Sequence, residues 1–182
     1  MMKNPSLNKS AMVNFSSSQR GASLLEGIAY LGIAALVVLG AVSLLTGAFN
    51  SAQSNRAAEE IVSIRTGVKK LYMGQANSYV AGDLTPQLIT ARVLPTTLPP
   101  NGLGTTLTNA WGGAVVVTGA TANFTISYAN VPQDGCIGML SGASGWTNVN
   151  SNSVNVTVFP VTPAAAVTLC AAGANVITLT SA

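Results

Sequence analysis

Apolar and polar positions divide this chain into three stretches with different rhythms. Met1–Gly21 is polar and basic, with Lys3, Lys9 and Arg20 among Asn, Ser and Gln. Gly27–Phe49 then reads GIAYLGIAALVVLGAVSLLTGAF, 23 residues without a charge, in which only Ser43 and Thr46 are notably polar. About 20 apolar residues span a bilayer as a helix. After Phe49 the pattern becomes one-sided. Ile61, Ile64, Val68 and Leu71 recur at intervals of 3, 4 and 3, which is one helical face, while Arg56, Glu59, Glu60, Arg65, Lys69 and Lys70 mostly take the others. A single helix is predicted from Ala22 to about Gly74, about 80 Å at the usual rise. Its first half is greasy all round and its second half packs a domain.

The remaining chain reads as loop and strand. Thr85-Pro86 predicts an N-cap and a first-turn proline for a short helix through about Ala91. Pro95, Pro99 and Pro100 with Gly102 and Gly104 mark irregular chain. Strands are predicted at Ala114–Thr118, Phe124–Ala129, Val154–Phe159 and Val176–Thr180. In Val154–Val158 apolar and polar residues alternate, as a half-buried strand requires. Short helices are predicted over Gly135–Leu140 and Pro163–Ala171. A helix first and antiparallel strands later is an α+β arrangement.

Length and charge narrow the picture. The chain's 182 residues suffice for one domain with a real core. With 7 % charged residues and a mean hydropathy of +0.45 it is too apolar for a disordered chain. Up to Gly21 there are three cations and no acid; from Ala22 onward there are five of each sign. The basic pI therefore belongs to the N-terminal piece, and no nucleic-acid surface is expected on the head. There is no histidine, which removes the commonest general base and metal ligand. Two cysteines alone make no zinc site, and no nucleotide-binding or hydrolase motif is present. No catalytic residue, cofactor or metal is expected.

A secretory signal peptide has an apolar core of about 7–15 residues and a small-residue cleavage site behind it. This run is longer, and Gly47-Ala48-Phe49-Asn50 is a poor site. The informative stretch lies in front of it, at Arg20-Gly21-Ala22-Ser23-Leu24-Leu25-Glu26-Gly27. It resembles the processing site of type IV prepilins, in which a peptidase cuts after a glycine that follows a basic residue, and a glutamate stands fifth in the product. The resemblance implies cleavage between Gly21 and Ala22, N-methylation of Ala22, and retention of the apolar helix. The 21-residue leader, the absence of phenylalanine at Ala22, and the segments Asn109-Ala110-Trp111-Gly112-Gly113 and Val131-Pro132-Gln133-Asp134-Gly135-Cys136 are similar to type b pilins of conjugative and enteropathogen thin pili. Ala22 departs from the Met, Leu or Val that several type b pilins carry there.

Physical chemistry gives Glu26 a reason. A carboxylate in hydrocarbon costs about 2.5–3.5 kcal/mol on insertion scales, so a partner is expected. The resemblance implies that the partner is the Ala22 amine of a neighbouring subunit. The bland alternative is a favourable acid in a helix's first turn. The expected organisation is a leader over 1–21, a membrane and filament-core helix over 22–49, and a pilin head over 50–182. By the resemblance, the chain is inserted in the bacterial inner membrane with its N-terminus cytoplasmic. It is then processed by prepilin peptidase and polymerised by an assembly platform and ATPase into an extracellular homo-oligomeric filament. Adhesion, aggregation and conjugative mating are the roles implied. A minor pilin, a type II secretion pseudopilin and an anchored enzyme or binding module are the alternatives.

Cys136 and Cys170, both in the exported part, are expected to form a disulfide, two free thiols being the alternative. Trp111 with its two glycines is expected to fill core and turn the chain. The sequons at Asn123 and Asn155 are expected to be chance matches. Gly32, Gly40 and Gly47 are expected to let the apolar helix loosen on polymerisation.

Overall fold

The computed structural model describes residues 20–75 and 78–182, with side chains from residue 24 on. The predicted leader therefore lies outside the described residues apart from Arg20 and Gly21. Two compact units divide at Leu44 and Leu45.

The first unit's described part is helical throughout. It belongs to helix α1, Arg20–Leu71. No residue from Leu24 to Leu44 is buried, because apolar side chains project on every side of the helix.

The second unit holds the rest of α1 and everything after it. Helix α1 ends in a turn at Tyr72–Gln75, with Gly74 at φ +99°, the left-handed conformation glycine adopts at little cost. Lys69 and Lys70 occupy the last turn, where cations favour the carbonyl end of the helix dipole. The chain continues through β1 (Gly82–Asp83), α2 (Thr85–Thr90), β2 (Leu107–Thr108), β3 (Ala114–Gly119), β4 (Phe124–Val131), α3 (Gln133–Ser141), β5 (Asn148–Ser151), β6 (Val154–Val156), α4 (Pro163–Leu169) and β7 (Asn175–Ser181). The α+β fold is as expected.

All strand pairs are antiparallel, in the order β1-β3-β4-β7-β5-β6, with β2 also on β3. The last strand lies in the middle of the sheet. Period-two alternation puts Val115 and Val117 of β3, Phe124, Ile126 and Tyr128 of β4, and Ile177 and Leu179 of β7 into the core. There they meet Ile61, Ile64 and Val68 of α1.

Four expectations need correction. Leu71 is 37 % exposed, and Tyr72, just past the helix end, takes the buried place. Glu60, expected among the outward charges, is only 2 % exposed. Thr85 does not cap α2, since Leu84 occupies the cap without a side-chain bond. Instead the Thr85 hydroxyl accepts from the Val117 amide at 3.0 Å, and Asp83 Oδ1 accepts from the Thr85 amide at 2.8 Å. The predicted Val154–Phe159 strand stops at Val156; Val154 and Val158 are 50 % and 77 % exposed because β6 is the sheet's outer strand.

Candidate assembly site

Glu26 is exposed on α1, and the Tyr30 phenol donates to its Oε1 at 3.3 Å across one helical turn. Gly21 and Ala22 fall in the first turns of the same helix. The stretch Leu24–Leu71 contains a segment long and apolar enough to cross a membrane. A Cβ placed at Gly32, Gly40 or Gly47 would meet nothing within 4 Å, so no contact among the described residues requires glycine there. The helix is unbroken through all three.

In the head, a buried polar tie joins helix, sheet and loop. The Glu60 carboxylate accepts from Arg56 Nε at 2.9 Å and from the Tyr128 phenol at 3.4 Å. Arg56 also donates to the Thr97 carbonyl in the proline-rich loop. Burial first, and the neighbouring Glu60 charge and hydrogen bond second, hold the Tyr128 phenol well above its usual ionisation range. A second tie is made by Arg65. Its guanidinium lies 4.7 Å from the Trp146 ring centre, Nε donates to Ser181 Oγ at 3.2 Å, and it also donates to the Gly145 carbonyl.

Cys136 on α3 and Cys170 after α4 form a disulfide with Cα atoms 5.9 Å apart. Gln133 Nε2 donates to the Cys170 carbonyl at 3.1 Å beside it. Two asparagines that sequence reasoning did not single out as anchors organise the loops. Asn109 Oδ1 accepts from the Trp111 and Gly113 amides, and its amide group donates to the Ala129 carbonyl at 2.8 Å. Asn175, fully buried, donates to the Val131, Ala171 and Gly173 carbonyls and accepts from the Ala171 amide. Asn in turn-forming sequence was the available signal. The Trp111 segment is thus a built turn, as expected; its ring packs beside Gly135 and its indole nitrogen has no partner. Among the described residues no cluster of His, Cys, Asp or Glu could hold a metal ion.

The second unit, with its antiparallel head, is similar to known proteins. The family model described as PilS N terminal covers residues 51–182, most of the chain. The chain belongs to this family and is a type IV pilin. The pilin is 29 % identical over 176 residues to the "Major structural subunit of bundle-forming pilus" of Escherichia coli O111:H-, covering 84 % of this chain and 88 % of the relative. The protein of that name from E. coli O127:H6 (strain E2348/69 / EPEC) is 29 % identical over 175 residues at the same coverage. Among solved structures, the type IV b pilin from Salmonella typhi superposes with a TM-score of 0.57 at 26 % identity, over 67 % of this pilin and 95 % of that chain. TcpA, a type IV pilin from Vibrio cholerae El Tor biotype, shares the fold, with a TM-score of 0.53 at 11 % identity over 71 % of this pilin and 99 % of that chain. These relatives are structural pilin subunits, not enzymes.

Proposed function

We propose that this pilin is the major subunit of a type IVb pilus. It is made as an inner-membrane precursor with its basic N-terminus in the cytoplasm, in keeping with Lys3, Lys9 and Arg20 ahead of the apolar run. Prepilin peptidase cuts between Gly21 and Ala22, and Ala22 is N-methylated. The assembly platform and its ATPase then move the subunit into an extracellular filament serving adhesion, aggregation or conjugative mating.

One observation carries this reading. The uncharged helix behind Glu26 buries nothing between Leu24 and Leu44. So much apolar surface is stable only in lipid or against other such helices. A polymer of identical subunits supplies the second environment after the membrane has supplied the first. Glu26 stands one helical turn from Ala22, so an incoming carboxylate and a resident amine can pair as the helix leaves the lipid. Residue 21 is the leader's last, residues 22–49 are the membrane and core helix, and 50–182 are the exported head.

The N-terminal sequence and intact mass of protein sheared from the cell surface test the proposal. A start at Ala22 carrying one added methyl is expected, with antibody labelling along the whole fibre. A start behind Phe49, or an intact Met1, refutes it.

A further inference from the structure

The outward face of the second half of α1 carries Glu59, Val62, Thr66, the adjacent pair Lys69 and Lys70, and Met73, at steps of three or four residues and therefore in line. All six are exposed, Val62 by 60 % and Met73 by 78 %. Five of them, without Glu59, line a shallow groove on this face together with Arg65, whose guanidinium is already held by Trp146, Ser181 and Gly145. The stripe has a polarity: one acid at its N-terminal end, two cations at its C-terminal end, and apolar side chains between and beyond. Among the described residues the ion pair within the chain is Arg56–Glu60, and Glu59, Lys69 and Lys70 take no part in it. The helix dipole accounts for lysines in the last turn, but not for two large apolar side chains left bare in line with them.

From this geometry we infer that the stripe docks a second copy of this chain. Lys69 and Lys70 of one copy face Glu59 of the next, and Val62 and Met73 are covered between them. The inference rests on the assembly reading above and adds the contact that sets the stagger. Copies inserted by the same basic N-terminus enter the membrane in one orientation, so their helices run parallel. Parallel stripes bring opposite charges together only when displaced along the axis. Eleven residues separate Glu59 from Lys70, about 16 Å of helix. A displaced, head-to-tail contact is heterologous and does not close, which is the condition for an open filament. Unstaggered stripes would set like charge against like, which costs affinity and excludes that register.

The test uses the full-length chain in its pilus-assembling host. Glu59→Lys alone, and Lys69→Glu with Lys70→Glu, should each lower the yield of sheared filament by at least about tenfold. All three substitutions together should restore it to within about twofold of wild type. Head folding is checked in the membrane-resident pool by the Cys136–Cys170 disulfide and resistance to trypsin. Undiminished filament from either reversal, or no rescue by the combination, overturns the inference. If wild-type chain starting at Ala22 makes no filament, the assembly reading itself falls, and this one with it. Should a reversal leave no folded chain, Glu59→Cys with Lys70→Cys decides. Oxidised filaments should yield a ladder of cross-linked multimers, because each copy bonds to a different neighbour at each end. Dimers only mean an antiparallel closed pair and overturn the inference, as does the absence of any product from intact filaments.

Discussion

The Tyr128 phenol donates to Glu60 Oε2 at 3.4 Å, which ties the second strand of the β3–β4 hairpin to the buried face of the helix. Glu60 is in turn held by Arg56 Nε at 2.9 Å. Removing one member of such a tie leaves the others short of partners inside the core, which costs more than the bond itself contributes. Glu60→Ala is expected to destabilise the head by about 2–3 kcal/mol, since it strands the buried phenol and opens a cavity. Tyr128→Phe should cost about 1 kcal/mol, since Glu60 keeps Arg56. Denaturant unfolding of the detergent-solubilised chain, followed by tryptophan fluorescence, measures both. The reverse order of severity would contradict the assignment of Glu60 as the centre of the tie.

The same contact predicts an alkaline weakness. Burial and the Glu60 charge raise the Tyr128 ionisation above its ordinary value of 10.0. A phenol that ionises more readily unfolded than folded contributes stability that is complete below 10.0 and is lost as pH rises above it. The head should therefore lose stability progressively above pH 10.0, and Tyr128→Phe should flatten that loss. Equal slopes for the two chains would show that the phenol is not the group responsible.

The Cys136–Cys170 bridge closes a loop with a sequence separation of 34. In the chain-entropy account a loop of that size constrains the unfolded chain by about 4 kcal/mol. Replacing both cysteines with serine should lower stability by an amount of that order, leaving the sheet's register unchanged because β4 and β7 pair over most of their length. In the unaltered protein, alkylation of the unfolded but unreduced chain should find no free thiol.

Glycines divide into two groups with opposite expected responses. At Gly113 a Cβ would lie 1.9 Å from the Ala129 carbonyl oxygen, so Gly113→Ala must break the Asn109 turn or the start of β3. A loss of about 3 kcal/mol or more is expected, within the range of overpacking and lost hydrogen bonds together. At Gly40 a Cβ meets nothing, and alanine is the better helix former by about 1 kcal/mol. Gly40→Ala should leave the head's unfolding curve in place. If the apolar helix loosens on polymerisation, it should slow filament growth while leaving the membrane-resident chain intact. Wild-type growth would remove Gly40 from that role.

Regular rhythm made much of this legible in advance. The 3.6-residue period of α1 placed Ile61, Ile64 and Val68 in the core, and the alternations of β3, β4 and β7 were readable because both faces have fixed fates. Failures came where the tertiary partner decides. Glu60 reads as a surface charge until Tyr128, 68 residues away, supplies its acceptor's partner. Asn148–Ser151 has one apolar residue in four, yet forms a strand because β7 lies beside it. Val154–Val158 has the alternation of a half-buried strand but sits at the edge, where only Val156 packs against the core and Val154 and Val158 stay exposed. Local capping logic misplaced Thr85 because its hydroxyl is taken by the Val117 amide of another element.

Glu26 yields the prediction that separates assembly from folding. Its one described polar contact is the exposed Tyr30 phenol at 3.3 Å, and no residue around it from Leu24 to Leu31 is buried. Glu26→Ala should therefore leave disulfide formation, thermal unfolding and membrane insertion unchanged. If the carboxylate pairs with the Ala22 amine of a neighbour, the variant should accumulate in the membrane with its leader removed and give little sheared filament. Tyr30→Phe distinguishes that pairing from a local role. It deletes a long, exposed hydrogen bond worth under about 1 kcal/mol and leaves the charge, so filament yield should stay near wild type. Abundant filaments from Glu26→Ala would mean that assembly does not use the charge, since Glu26 lies beyond the first turn of α1. Loss of filaments from both variants would move the function from the charge to the Tyr30–Glu26 pair.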